Sequence, residues 1–118
     1  MPRQTLTRIT LFLPAPSTLR QHYLIDDVIT DLVEFCKGAT TSQQIPPVVS
    51  GYWLNLHGLV EEDQNVLIIA DAEQDIDDAN LNSFFENLKF IAQIDFNQDL
   101  IWITLHKVER VATDDPQP

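Results

Sequence analysis

Hydrophobic and polar positions change period several times along the chain, and each change marks an element. Residues 5–13, "TLTRITLFL", alternate: Ile9, Leu11 and Leu13 point one way, Arg8, Thr10 and Phe12 the other. The alternation predicts a strand, closed by Pro14 and Pro16. Apolar residues then recur at helical spacing through Leu24, Ile25, Val28, Ile29, Leu32, Val33, Phe35 and Cys36, with Asp27, Asp31 and Glu34 opposite. Thr18 and Gln21 are spaced as a capping box, and Gly38 stands where a helix stop is expected. "ATTSQQIPPVVS", residues 39–50, reads as a loop. Strands at 51–59 and 66–71, joined by a turn at "VEEDQN", predict a hairpin. Leu81, Phe84, Phe85, Leu88, Ile91 and Ala92 trace a second amphipathic helix, and "LIWITLHKV", residues 100–108, a last strand.

Strand, helix, strand, strand, helix, strand is the split βαβ order. It predicts an α+β, ferredoxin-like sandwich: a four-stranded antiparallel sheet with two right-handed crossovers that put both helices on one face. The first and third strands are then central. A chain of 118 residues that is 44% hydrophobic fits a single domain, set at residues 1–111. The polar stretch 112–118, "ATDDPQP" with Val111 left in the domain, is expected to be a disordered acidic tail.

The face away from the helices is not polar. It takes Arg8, Thr10, Phe12, Trp53, Asn55, His57, Trp102, Thr104 and His106. "VLIIA" is apolar at every position, so the third strand adds two more apolar residues in either register. Soluble monomers rarely leave such a patch in water. The candidate interface or ligand residues are therefore Phe12, Trp53, Asn55, His57, Trp102 and His106. An aromatic, an amide and an imidazole on one strand suit a ligand site. Aromatic residues are equally enriched in interface cores. His57 and His106 fall on opposite edges of the sheet, so they could share a metal only across two copies.

Charge narrows the partners. The formal net charge is −11, and no Lys or Arg lies between Lys37 and Lys89, a stretch with nine acidic residues. Affinity for nucleic acid comes mainly from Lys and Arg neutralising phosphates, and an anionic membrane repels such a surface. Nucleic acid and membrane are both excluded as expected partners. One Cys rules out an internal disulfide. The first residues are too short and too interrupted an apolar run for a signal peptide, which gives a soluble, cytoplasmic expectation.

No catalytic residue, metal site or cofactor is assigned. The chain has no G-x-S-x-G, H-E-x-x-H or phosphate-binding Gly loop, and holds only three Gly. The acidic run Asp71, Glu73, Asp75, Asp77 and Asp78 lacks the glycine of a calcium loop; acids there complement the start of the second helix. Cys36 sits on an apolar stripe and reads as a buried, inert thiol.

"FCKGATTSQQIPPVVSGYW", residues 35–53, resembles an element of small ferredoxin-like proteins of mostly unassigned function: Gly-x-Thr after the first helix, then Gly-x-Trp at a strand start. Gly38, Thr40, Gly51 and Trp53 carry the resemblance. Lys37 stands where the first Gly of the usual pair would be. The resemblance implies the fold and names no activity.

Together these features point to a non-enzymatic, self-associating module that binds or regulates a protein through its open sheet face. The alternative is a dimeric α+β barrel enzyme or small-ligand binder with a pocket between two sheets. A metal-responsive module using the acidic loop is a third. The charge argument has a direct check. At near-physiological salt no binding to DNA or RNA is expected in a filter or anisotropy assay. Micromolar affinity with a steep salt slope would overturn it.

Overall fold

The computed structural model describes residues 3–41, 49–98 and 101–111. Its elements are β1 (Arg3–Pro14), α1 (Leu19–Cys36), β2 (Thr40–Thr41), β3 (Val49–Leu54), β4 (Val60–Ala72), α2 (Ala79–Asp95) and β5 (Trp102–Val111). The fold is α+β, as expected, but its antiparallel sheet has five strands rather than four. β1 lies between β4 and β5, and β4 carries β2 and β3 along its other edge. Thirteen residues make β4 roughly 43 Å long, enough edge for both short strands.

The β1 alternation sorts the two faces. Thr7, Ile9, Leu11 and Leu13 oppose Ala72, Ala70, Ile68 and Val66 on β4, and all eight are buried. α1 adds Ile25, Leu32 and Cys36 to this core; α2 adds Leu81, Phe85, Leu88 and Ala92. Both helices therefore cover the same face. They meet at Phe35 and Phe84, stacked with ring centroids 4.4 Å apart, and Phe85 abuts Phe84 edge-on at 5.0 Å. Such aromatic pairs add about 0.5–1.5 kcal/mol beyond the area they bury. Thr7 is buried without cost because its hydroxyl donates to the Gln74 carbonyl at 2.7 Å. Among the described residues no helix is long and apolar enough to cross a membrane.

The hairpin departs from expectation. β3 ends at Leu54, and residues 60–65, expected as a turn, are the first half of β4. The turn lies at 55–59. The Asn55 side chain accepts from the His57 and Leu59 amides at 2.9 and 3.0 Å, and Gly58 takes a φ of 75°. An Asn carbonyl that caps its own turn and a Gly at positive φ reverse the chain before the apolar pattern ends. The acidic segment that follows is strand all the same, paired residue by residue from Val60 with Leu54 to Asn65 with Val49. This hairpin runs beyond the helices as an arm, which accounts for a molecule 52 Å long and 31 by 26 Å across.

Both helix starts follow their sequence signals. Thr18 accepts from the Gln21 amide at 3.1 Å, and the Gln21 side chain accepts from the Ser17 amide at 2.8 Å. Asp78 caps α2 by accepting from the Leu81 amide at 2.9 Å. The end of α1 differs from the expected Gly38 stop. Lys37 is the left-handed residue, φ 72°, and its amide donates to the Val33 carbonyl at 2.8 Å. Cys36 is the last residue of the buried stripe, and Thr40 must already pair with Ile69, so the reversal falls one residue early. The stretch 112–118 and most of the 39–50 loop, residues 42–48, lie outside the described residues.

A side chain in the left-handed region is strained, and glycine is not. Lys37→Gly should raise stability by about 0.5–1 kcal/mol, a rise of a few degrees in Tm for a domain of this size. Thermal unfolding followed by circular dichroism measures it, and a lower Tm would contradict the assignment of the cap.

Candidate functional site

The register of the central strands builds the open face in rows. Phe12 lies between Leu67 and Trp102, Thr10 between Ile69 and Thr104, and Arg8 between Asp71 and His106. Each row is two residues along β1 from the next, about 7 Å. The first row is aromatic, the second carries hydroxyls, and the third is charged.

At the aromatic end Phe12, Trp102 and Thr104 meet the base of the hairpin arm. With Ser50, Gly51, Tyr52 and Asn65 they line an open cleft of about 350 Å3. Trp102 is 48% exposed and Tyr52 65% exposed, while Asn65 is buried. Aromatic walls with a few hydroxyl and amide groups are the usual lining of a small-molecule site.

At the charged end Arg8 donates from Nε and Nη2 to the two Asp71 carboxylate oxygens, at 2.9 and 3.0 Å. Those hydrogen bonds hold the Asp71 carboxyl below the usual carboxylate range against the opposing effect of burial, and the charges of Arg8, Arg110 and His106 act the same way. Arg110 also donates to Gln4. A second cleft, about 530 Å3, opens at the β4 edge, where Arg8, Lys37, Thr40, Asp71, Glu73 and Arg110 face it. β2 covers β4 only at Ile68 and Ile69, which leaves this edge accessible.

The six residues singled out by sequence divide. Phe12, Trp102 and His106 share the open face on neighbouring strands. Trp53 pairs with Glu61 through its backbone, and its side chain lies outside the described residues. Asn55 and His57 are in the turn at the tip of the arm. Asn55 is spent on holding that turn and donates to Glu61 at 3.1 Å. His57 is exposed there and does not lie in the row with Trp102.

Sequence reasoning missed Tyr52, Asn65, Asp71 and Arg110 as site residues. Asp71 had a usable signal: it continues the alternation of Leu67 and Ile69, the two residues of "VLIIA" that face outward. The acidic run does not act as one unit. Asp71 pairs with Arg8, Asp75 lies 3.6 Å from Lys107, and Asp78 caps α2. Among the described residues no group of three or more His, Cys, Asp or Glu is placed to hold a metal ion. Cys36 is buried, and burial, helped by the charge of Asp71, pushes its thiol up to about 11. It is protonated, and a poor nucleophile, at neutral pH.

No protein-family model matches the chain, and no curated protein matches it. Two solved structures do. A phage SAM lyase in complex with S-methyl-5'-thioadenosine is 16% identical, with a TM-score of 0.53 over 92% of this chain and 89% of that one. A phage SAM lyase in its apo state is 15% identical, with a TM-score of 0.50 over 95% and 94%. At this identity the likeness establishes the fold. It also corrects the sequence-based expectation of a non-enzymatic interaction module: the architecture is one that an enzyme uses across nearly its whole length. The alternative expectation, an enzyme or small-ligand binder, is better supported than that module.

The Arg8–Asp71 pair has a pH signature. A carboxyl held low in the fold contributes stability above its unfolded pKa and loses it as pH falls through the folded value. Asp71→Asn should therefore be less stable than the parent at pH 7, and the difference should shrink below pH 3.8, the ordinary value for Asp. Urea titrations at pH 7 and near pH 2.5 measure this. A gap that is the same at both would remove the pair from the stability of the fold.

Proposed function

We propose that the protein is an enzyme that binds S-adenosylmethionine on the open face of its sheet and cleaves it to S-methyl-5'-thioadenosine. The observation that carries the reading is the aromatic cleft of Phe12, Tyr52 and Trp102, edged by Ser50, Asn65 and Thr104, on a fold like that of the phage lyase. A purine stacks on aromatic faces, and its ring nitrogens take hydrogen bonds from amide and hydroxyl groups. Arg8 lies four residues along β1 from Phe12, about 14 Å away at 3.4 Å per residue. That spacing suits a ligand with its nucleoside in the cleft and its amino-acid end at the charged row. There Arg8 and Arg110 offer donors to a carboxylate, and Asp71 and Glu73 offer acceptors to an ammonium.

The chemistry asks little of acid or base groups. Sulfur in the substrate is a cation. When its bond to the four-carbon chain breaks, it takes the bonding pair and leaves as a neutral thioether, with no proton needed. The carbon left behind is satisfied within the same fragment: an oxygen of its own carboxylate forms the new C–O bond as the C–S bond breaks, which closes a lactone. Loss of charge in the step favours surroundings of low polarity, which the aromatic row supplies.

The aromatic end of the open face is apolar, and the reading includes its closure by further copies of the chain. Leu67 and Ile69 lie beside Phe12 and Trp102 on that face, and the arm exposes Leu54, Leu56 and Leu59 at and around its tip. The pairing order β5, β1, β4, β3, with both helices on one face, supports a ferredoxin-like assignment, a fold that pairs its sheets in many assemblies.

Incubation with S-adenosylmethionine should yield S-methyl-5'-thioadenosine by chromatography and mass spectrometry. Light scattering should give a multiple of the 13.5 kDa chain. Trp102→Ala should weaken S-methyl-5'-thioadenosine binding by about tenfold or more, since a base stacked on an aromatic is worth about 1–3 kcal/mol. No product and no binding of the thioadenosine by calorimetry would overturn the proposal.

A further inference from the structure

The helix layer carries a second apolar surface, on the opposite side of the molecule from the open sheet face. α1 and α2 leave a groove of about 280 Å3 between them, with Val28, Leu88 and Ile91 on its floor. Its rim is acidic: Asp27 and Asp31, one turn apart on α1, face Asp95 on α2, and no Lys or Arg lines it. Leu88 and Ala92 in the lining are buried against the core, yet Ile91 beside them is 55% exposed into the groove. An apolar residue left uncovered in such a groove is a ready contact for a partner.

We infer that this groove docks a basic amphipathic helix of a partner protein. The apolar floor suits residues spaced i, i+3, i+4 and i+7, and the three carboxylates suit Lys or Arg flanking them. A second copy of this chain is a poor occupant. A two-fold interface sets the same patch against itself, so Asp27, Asp31 and Asp95 would confront their own counterparts. The nearby cation on α2, Lys89, lies 3.5 Å from Glu86 and outside the groove lining. The inference does not depend on the proposed reaction, because the groove and the aromatic cleft share no residue.

The test uses the full chain and a fluorescein-labelled 18-residue peptide of Leu and Lys patterned as an amphipathic helix. A scrambled peptide of identical composition, with no apolar face, is the control. Anisotropy should show the patterned peptide binding at least tenfold more tightly than the scrambled one. Ile91→Ser and the triple substitution Asp27→Asn, Asp31→Asn, Asp95→Asn should each remove most of that preference, with circular dichroism unchanged. Equal binding of both peptides would overturn the inference, leaving only attraction to a chain of net charge −11. Retained preference in both variants would also overturn it. A drop in assembly mass for Ile91→Ser would assign the groove to a second copy and overturn it as well.

Discussion

The register between β1 and β4 is the constraint on which the rest of the structure depends. Thr7 sits against Ala72 and Leu13 against Val66, and every second pair between them is buried under the helices. Strand side chains alternate, so a slip of one residue would send Ile9, Leu11 and Leu13 to the open side and bring Arg8, Thr10 and Phe12 into the core. Burying an unpaired Arg is prohibitive, so the slipped form is not a competitor. The same register that seals the core therefore also sets Arg8 against Asp71 and Phe12 against Leu67 on the open side. Core and candidate site are two sides of one pairing.

How much of this is legible in sequence depends on whether the signal is local. The alternation in β1 places Phe12, and that in β5 places Trp102 and His106, because period-two patterning needs no partner strand. Asn55 and His57 mislead for the same reason. The alternation of "GYWLNLHG" runs on through a turn that Asn55 and Gly58 impose, and pattern alone does not register a side chain that caps its own backbone. Asp71 is hidden by its neighbours. It looks like one more acid in a run, and only the pairing with Arg8, 63 residues away, gives it a separate role.

Tyr52 shows another limit. Face assignment by parity puts it beneath the helices, yet it is exposed and lines the aromatic cleft. The sheet outgrows its cover. α1 and α2, with 18 and 17 residues, span roughly 26 Å each, while β4 spans roughly 43 Å. Beyond the last helical turn there is no inside, and both faces of the arm meet solvent. Parity no longer tells which side is dry there, nor which residues meet: Tyr52 lines the cleft with Phe12 and Trp102 although its parity opposes theirs.

β1 completes its second edge only through β5, and the pairing of Arg3 with Val111 spans nearly the whole described chain. Contacts so far apart in sequence close late, because the loop entropy is lost before the contact repays it. During synthesis β1, both helices and the hairpin leave the ribosome while the partner of one central-strand edge does not yet exist. That edge, with Leu11 and Ile9 behind it, is an open template for the wrong strand until residues 102–111 arrive. The fold thus ties its most buried strand to the last-made of the described strands, so a chain cut short anywhere before β5 has no sealed core to fall back on.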